Sequence, residues 1–122
     1  MDAIAHARSL IADIRQHPDR FVDNLAEAER ALQSAAQAEP SNTDVLTCFG
    51  AVLSDMGKHQ EAVQVLRSAI SAGSRDRNTY FNLGVALINS ATHKEAMSYF
   101  KQANMLNSSE QTWEAYFDPQ AH

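Results

Sequence analysis

The chain has 122 residues, of which 44% are apolar and 20% charged, and 15 acids against 10 lysines and arginines give a formal charge of −5. That balance belongs to a chain that folds around one continuous core, not to a disordered one. An acidic chain has no general attraction for phosphate backbones or anionic lipid headgroups, so nucleic acid and membrane are excluded as default partners.

Apolar residues recur at three and four nearly everywhere, which predicts helices throughout. Ile4, Ala7, Leu10, Ile11 and Ile14 form a first stripe. The segment that carries it, MDAIAHARSLIADIRQH, does not read as a secretory signal, because Asp2, His6, Arg8 and Asp13 break its apolar run. No run nears the roughly 18 apolar residues of a membrane span. Pro18 is expected in a first turn, where a missing N–H costs nothing. A second helix follows with Phe21, Val22, Leu25, Ala28, Leu32 and Ala35 on one face, stopping before Pro40.

A third helix is expected over Thr43–Met56, capped by Ser41 or Asn42 and ended by Gly57. The fourth covers about His59–Ala72 and ends at Gly73, and the fifth runs from Arg77 to Asn89. The sixth starts at Thr92, which has capping-box spacing to Glu95, and runs to about Leu106. Ser108 and Gln111 have the same spacing and predict a short seventh helix over 111–117. Short loops make neighbouring helices antiparallel.

Gly50 and Gly84, Ala62 and Ala96, Leu66 and Phe100, and Ala69 and Ala103 all recur at an offset of 34. Two units follow, 43–76 and 77–110, each with Gly eighth, Ala twentieth, a large apolar residue twenty-fourth and Ala twenty-seventh. This resembles the tetratricopeptide repeat, a helix–turn–helix unit of 34 residues. TYFNLGVAL, with Tyr80, Leu83, Gly84 and Leu87, is similar to its first-helix signature, and HKEAMSYFKQA to its second helix. Small residues let the helices approach while large ones fill the space beside them, and no unit buries its apolar face alone.

The resemblance implies an all-α fold of antiparallel helix–turn–helix repeats stacked as a short right-handed superhelix, about seven helices in a single domain over 1–122. Ala28, Leu32, Ala35 and Pro40 extend the register back into a unit over 9–42. That unit is degenerate, since Gln16 takes its glycine position and Pro18 interrupts its first half, which predicts a shifted, shorter first helix and a longer second one. Ala91 stands where the preceding unit has Gly57, and Ser74 and Ser108 replace the late proline. Residues 111–117 are expected as a capping helix and 118–122 as a tail.

In the family, first helices line a concave groove that grips a peptide or helix of a partner protein. The family positions fall on Asp44, Thr47, Cys48, Ala51, Ser54 and Asp55 in one unit and Asn78, Phe81, Asn82, Val85, Ile88 and Asn89 in the next. The Asn82 amide is placed to hold a partner's backbone. Phe81, Val85 and Ile88 would form an apolar strip for an anchor residue, with packing on flanking helices the alternative for Phe81 and Ile88. Some family members clamp acidic chaperone tails with basic residues. Here those positions hold Thr47, Thr112 and Tyr116, and Asp44 and Asp55 would repel such a tail.

No catalytic motif is present, and no cofactor, metal or enzymatic activity is expected. His59 and His93 share one repeat position, but equivalent positions lie roughly 8–10 Å apart, while zinc needs its ligands at about 2 Å. The lone Cys48 can form no internal disulfide and reads as a small buried apolar residue. The expected protein is cytoplasmic. Three readings stand: an adaptor or scaffold binding a peptide or helix, a small acidic chaperone of the secretion type, and a self-associating repeat protein with Trp113, Tyr116 and Phe117 as the apolar end a second copy would cover.

Overall fold

The computed structural model describes residues 2–90 and 93–115. Among them the three–four periodicity becomes six α-helices: α1 (Ala3–Gln16), α2 (Phe21–Ala38), α3 (Thr43–Asp55), α4 (His59–Ser71), α5 (Arg77–Asn89) and α6 (His93–Ala103). Each packs on its sequence neighbour, and the first helices of the pairs also adjoin one another, α1 on α3 and α3 on α5. These are antiparallel pairs in a stack, the all-α repeat architecture implied by the resemblance.

Local chemistry sets the helix ends. Asp2 and Asn42 accept the amides of Ala5 and Val45 at the starts of α1 and α3. Pro18 opens a 3₁₀ turn, Pro18–Arg20, that joins α1 to α2. At the ends of α3 and α4 the chain closes in the same way. Gly57 (φ 79°) and Gly73 (φ 98°) take the left-handed conformation. The amides of Gly57 and Lys58 return to Ser54 and Leu53, and those of Gly73 and Ser74 to Ile70 and Ala69. Two successive carbonyls are thus satisfied at each end, as in the Schellman motif.

The core has two lobes. Ile4, Ala7, Leu25, Ala28, Leu32, Val45, Cys48 and Val52 join α1, α2 and α3. Leu53, Ala62, Leu66, Leu83, Ala86, Leu87 and Ala96 join α3 through α6, and Phe49 packs against both. Leu32, Leu53, Leu66, Leu83 and Leu87 are essentially inaccessible, each worth roughly 1.5–3 kcal/mol. Within a pair, the glycine of the first helix receives the large residue of the second. A methyl at Gly50 would stand 2.4 Å from Leu66 Cγ, and one at Gly84 2.7 Å from Phe100 Cε1.

Several expectations are corrected. Unit 9–42 does have a longer second helix, 18 residues in α2 against 13 in α4. Its first helix, however, has 14 residues and begins at Ala3, ahead of the unit boundary. Val22 is 73% exposed and does not join the inner stripe of α2. Helix α6 ends at Ala103, not near Leu106, and Thr92 lies outside the described residues. No seventh helix forms over 111–115, where Glu110 and Gln111 make a turn and the chain continues without regular structure. In a helix the Ala115 amide would donate to the Gln111 carbonyl. Instead it donates to Asn82 Oδ1 at 2.8 Å, while Cys48 Sγ lies 3.5 Å from the Gln111 carbonyl. The rest of the expected capping helix and the tail, 116–122, lie outside the described residues.

Gly84→Ala is expected to cost about 1–3 kcal/mol in urea unfolding, the usual range for an overpacked contact. Phe100→Ala removes the atoms the new methyl would meet, so the double variant should lose clearly less than the sum of the singles. Additive losses would show that the two positions do not share a contact. A second prediction concerns pH. Asp13 on α1 accepts from Asn24 Nδ2 (2.9 Å) and Arg20 Nη1 (3.1 Å), and these bonds hold its carboxyl below the ordinary 3.8. Since folding lowers this pKa, the stabilisation is full above the unfolded value and lost as pH falls through the folded one. Asp13→Ala should therefore melt below wild type near neutral pH, with the gap closing as pH falls below 3.8. A gap that persists in acid would contradict this.

Candidate protein-interaction face

The first helices α1, α3 and α5 present one face to the segment Ser109–Ala115, which lies against all three. The segment is held chiefly by Asp76, the residue that caps α5. Its Oδ1 accepts the Asn78 amide at 2.9 Å, as an N-cap does, and also the Ser109 amide at 2.9 Å. Its Oδ2 accepts the Thr112 hydroxyl at 2.5 Å. The Ser109 hydroxyl donates to Asp44 at 3.0 Å, and Asn78 Nδ2 donates to Thr112 Oγ1 at 3.1 Å. From α1, Arg8 donates to the Glu110 carbonyl at 3.0 Å. Arg77 pairs with Glu114 at 2.6 Å.

Asn82 makes the most specific grip. Its Nδ2 donates to the Trp113 carbonyl at 3.0 Å and its Oδ1 accepts the Ala115 amide at 2.8 Å. One carboxamide thus satisfies a carbonyl and an amide two residues apart, and the two bonds together fix which way the amide points. Because the bonds reach only backbone atoms, they select a backbone shape and leave side-chain identity open. Trp113 packs against the α1–α2–α3 core lobe, with the Arg8 guanidinium 5.7 Å from its ring centroid. Past Trp113 the face continues as a cleft of about 270 Å³ lined by Arg8, Ile11, Ala12, Arg15, Asp55 and Glu114.

The twelve residues expected in the groove separate into three sets. Asp44, Cys48, Asn78 and Asn82 touch the segment. Thr47 is buried between α3 and α5, where its hydroxyl meets that of Thr79 and, through it, Ser74. Ala51, Ser54 and Val85 are fully buried and Asp55 nearly so, at the edge of the cleft. Asn89 donates to the Val85 carbonyl in its own helix. Phe81 and Ile88 do not form a strip for an anchor side chain. Phe81 packs on Phe100 of α6 (centroids 5.5 Å apart) beneath the Arg77 guanidinium, and Ile88 packs on the α3–α6 core lobe. Burial pushes the Cys48 thiol well above its ordinary range, the inert state of an enclosed cysteine.

The sequence reading missed Asp76, Arg8, Arg77 and Trp113 as parts of this face. Asp76 carried a signal, since aspartate directly before a helix is a preferred N-cap. Nothing local marked its second oxygen as a partner for Thr112, which is 36 positions away. Trp113, expected at an exposed apolar end, instead turns inward.

Residues 78–110 match the family described as tetratricopeptide repeat. The chain thus carries a tetratricopeptide-like repeat. It is also similar to the BBSome complex member BBS4 homologue of Drosophila melanogaster, 34% identical over 97 aligned residues that span 70% of this chain and 20% of the relative. The chain therefore corresponds to about a fifth of that relative's length. Tetratricopeptide units are in general protein-interaction folds without catalysis. Among the described residues no three His, Cys, Asp or Glu side chains gather as a metal site would, and no helix is long and apolar enough to cross a membrane.

Asp76→Ala removes a cap and the anchor of the segment together, whereas Asn42→Ala at the start of α3 removes a cap alone. Loss of a cap costs about 0.5–2 kcal/mol, so Asp76→Ala is expected to lower the melting temperature more. It should also speed hydrogen exchange at the Ser109 and Ala115 amides while those of α1 and α2 stay protected. Equal losses with unchanged exchange would mean that Asp76 only caps.

Proposed function

We propose that this chain is a non-catalytic adaptor or scaffold module that uses the α1–α3–α5 face to hold a peptide or helix of a partner protein. The observation that carries the reading is the double backbone grip of Asn82 on Trp113 and Ala115. A side chain that accepts one backbone amide and donates to one backbone carbonyl is equipped to read polypeptide. The other contacts fit the same purpose. Asp44 and Asp76 offer carboxylate oxygens to hydroxyls, Arg8 offers a donor to a carbonyl, and the Trp113 site offers apolar depth. The similar Drosophila protein is named as a complex member, which agrees with a module that joins proteins.

The experiment is site-specific photocrosslinking in the native lysate. A photoreactive residue is placed at Asp44 or Asn89 on the first-helix face, and at Gln64 or Lys101, both exposed on second helices. The reading expects one protein to be crosslinked from Asp44 and Asn89 and not from the other two. Crosslinks confined to Gln64 and Lys101 would move the interaction to the opposite face and refute the groove.

A further inference from the structure

The face described above is already filled, by the chain itself. We propose that Ser109–Ala115 is a built-in occupant of the α1–α3–α5 face, and that the partner this face takes is a non-helical protein segment of the same chemistry, which must displace it. This rests on the adaptor reading and names its ligand and its control. The recognised pattern is read from the contacts. It has a hydroxyl at Ser109 for Asp44 and a second at Thr112 for Asp76, then an apolar ring at Trp113 and a small residue at Ala115, with the backbone between the last two held by Asn82.

Three observations indicate that the occupant is exchangeable. First, most of its bonds are made by side chains of the face to its backbone or hydroxyls, so a different chain can make them equally well. Second, Trp113 Nε1 is buried with no hydrogen-bond partner among the described residues. A buried unpaired donor is unfavourable, and a ligand with phenylalanine there would meet the same apolar wall without that loss. Third, the segment is joined to α6 by only a few residues. Tethering gives it an effective concentration in the millimolar range. It therefore holds the face despite its flaw, and lowers the apparent affinity of any competitor by the fraction of time the face stands open.

Trp113 is the only tryptophan of the chain, so its emission reports on the segment directly. The probe is a synthetic acetylated peptide of Ser108–Ala115 carrying Trp113→Phe, which is itself free of tryptophan. Titrated into the wild-type chain, it should shift Trp113 emission to the red in a saturable manner. In a full-length variant with Ser109–Ala115 replaced by a Gly/Ser run of equal length, the peptide should bind at least tenfold more tightly than to wild type. Adding Asn82→Ala to that variant should remove the binding, with helicity checked by circular dichroism. A folded variant that binds the peptide no better than wild type overturns the proposal, as does binding indifferent to Asn82. If the variant does not fold, the wild-type titration decides alone, and an unmoved emission at millimolar peptide overturns it. A chain that is dimeric by light scattering and turns monomeric when the segment is replaced would place the segment in a second copy and also overturns it. Partner crosslinks from Asp44 and Asn89 without peptide binding would leave the adaptor reading intact and remove this inference alone.

Discussion

Everything in this fold depends on how closely the two helices of a pair can approach. Gly50 faces Leu66 and Gly84 faces Phe100 at distances that leave no room for a methyl group. With the helices so close, Ala62 and Ala96 sit fully buried at the same contacts, and the larger residues beside them fill the flanking space. The first helices then stand near enough for α1, α3 and α5 to share a face. The hydroxyl pair of Thr47 and Thr79 belongs to the same layer, satisfying two polar groups between α3 and α5 where neither reaches water. A wider pair spacing would separate Asp44 from Asp76 and break up the carboxylate set on which the segment rests.

Asp76 links that architecture to the face. As a cap it spends one oxygen on the first turn of α5, and the same carboxylate remains free to accept from Ser109 and Thr112. A carboxylate is an acceptor with several lone pairs, so it can serve helix and segment together. The acidic residues of the segment do not defeat this arrangement. Glu114 is paired with Arg77, and Arg8 lies against the segment at both Glu110 and Trp113. The pair with Arg77 is half exposed and contributes little to stability. It does set which charge the face tolerates at that point.

Much of the fold was legible because its determinants are local or periodic. The offset of 34 placed the glycine–large contacts, and the cap and stop residues set helix ends to within a few positions. The face was legible only where the family positions apply: Asp44, Cys48, Asn78 and Asn82 do meet the segment. For Phe81 and Ile88 the sequence left both groove and flanking-helix packing open, because helical periodicity puts them at the border between the two sides, and Phe100 and the core lobe decide for packing. Residues 111–115 were misread for a stronger reason. Ser108 and Gln111 carry a genuine helix-start spacing. What overrides it is Asp76 and Asn82, more than 25 residues upstream, which no local rule weighs.

That override also explains why the segment leaves the stack. Thr112 stands one repeat after Asn78, and the two are hydrogen-bonded, so the chain arrives where the first helix of another unit would begin. Ser and Thr side chains compete with helical backbone bonds wherever nearby groups accept them. Here Ser109 takes the amide of Gln111 into a tight turn and Thr112 turns to Asp76. A short helix is marginal on its own, so a few such bonds are enough to prevent it. Once the helix is lost, the backbone groups of Gln111, Trp113 and Ala115 need other partners, and Cys48 and Asn82 supply them on the face. The same chemistry that keeps residues 111–115 out of a helix therefore turns the segment into a ligand for the repeats before it.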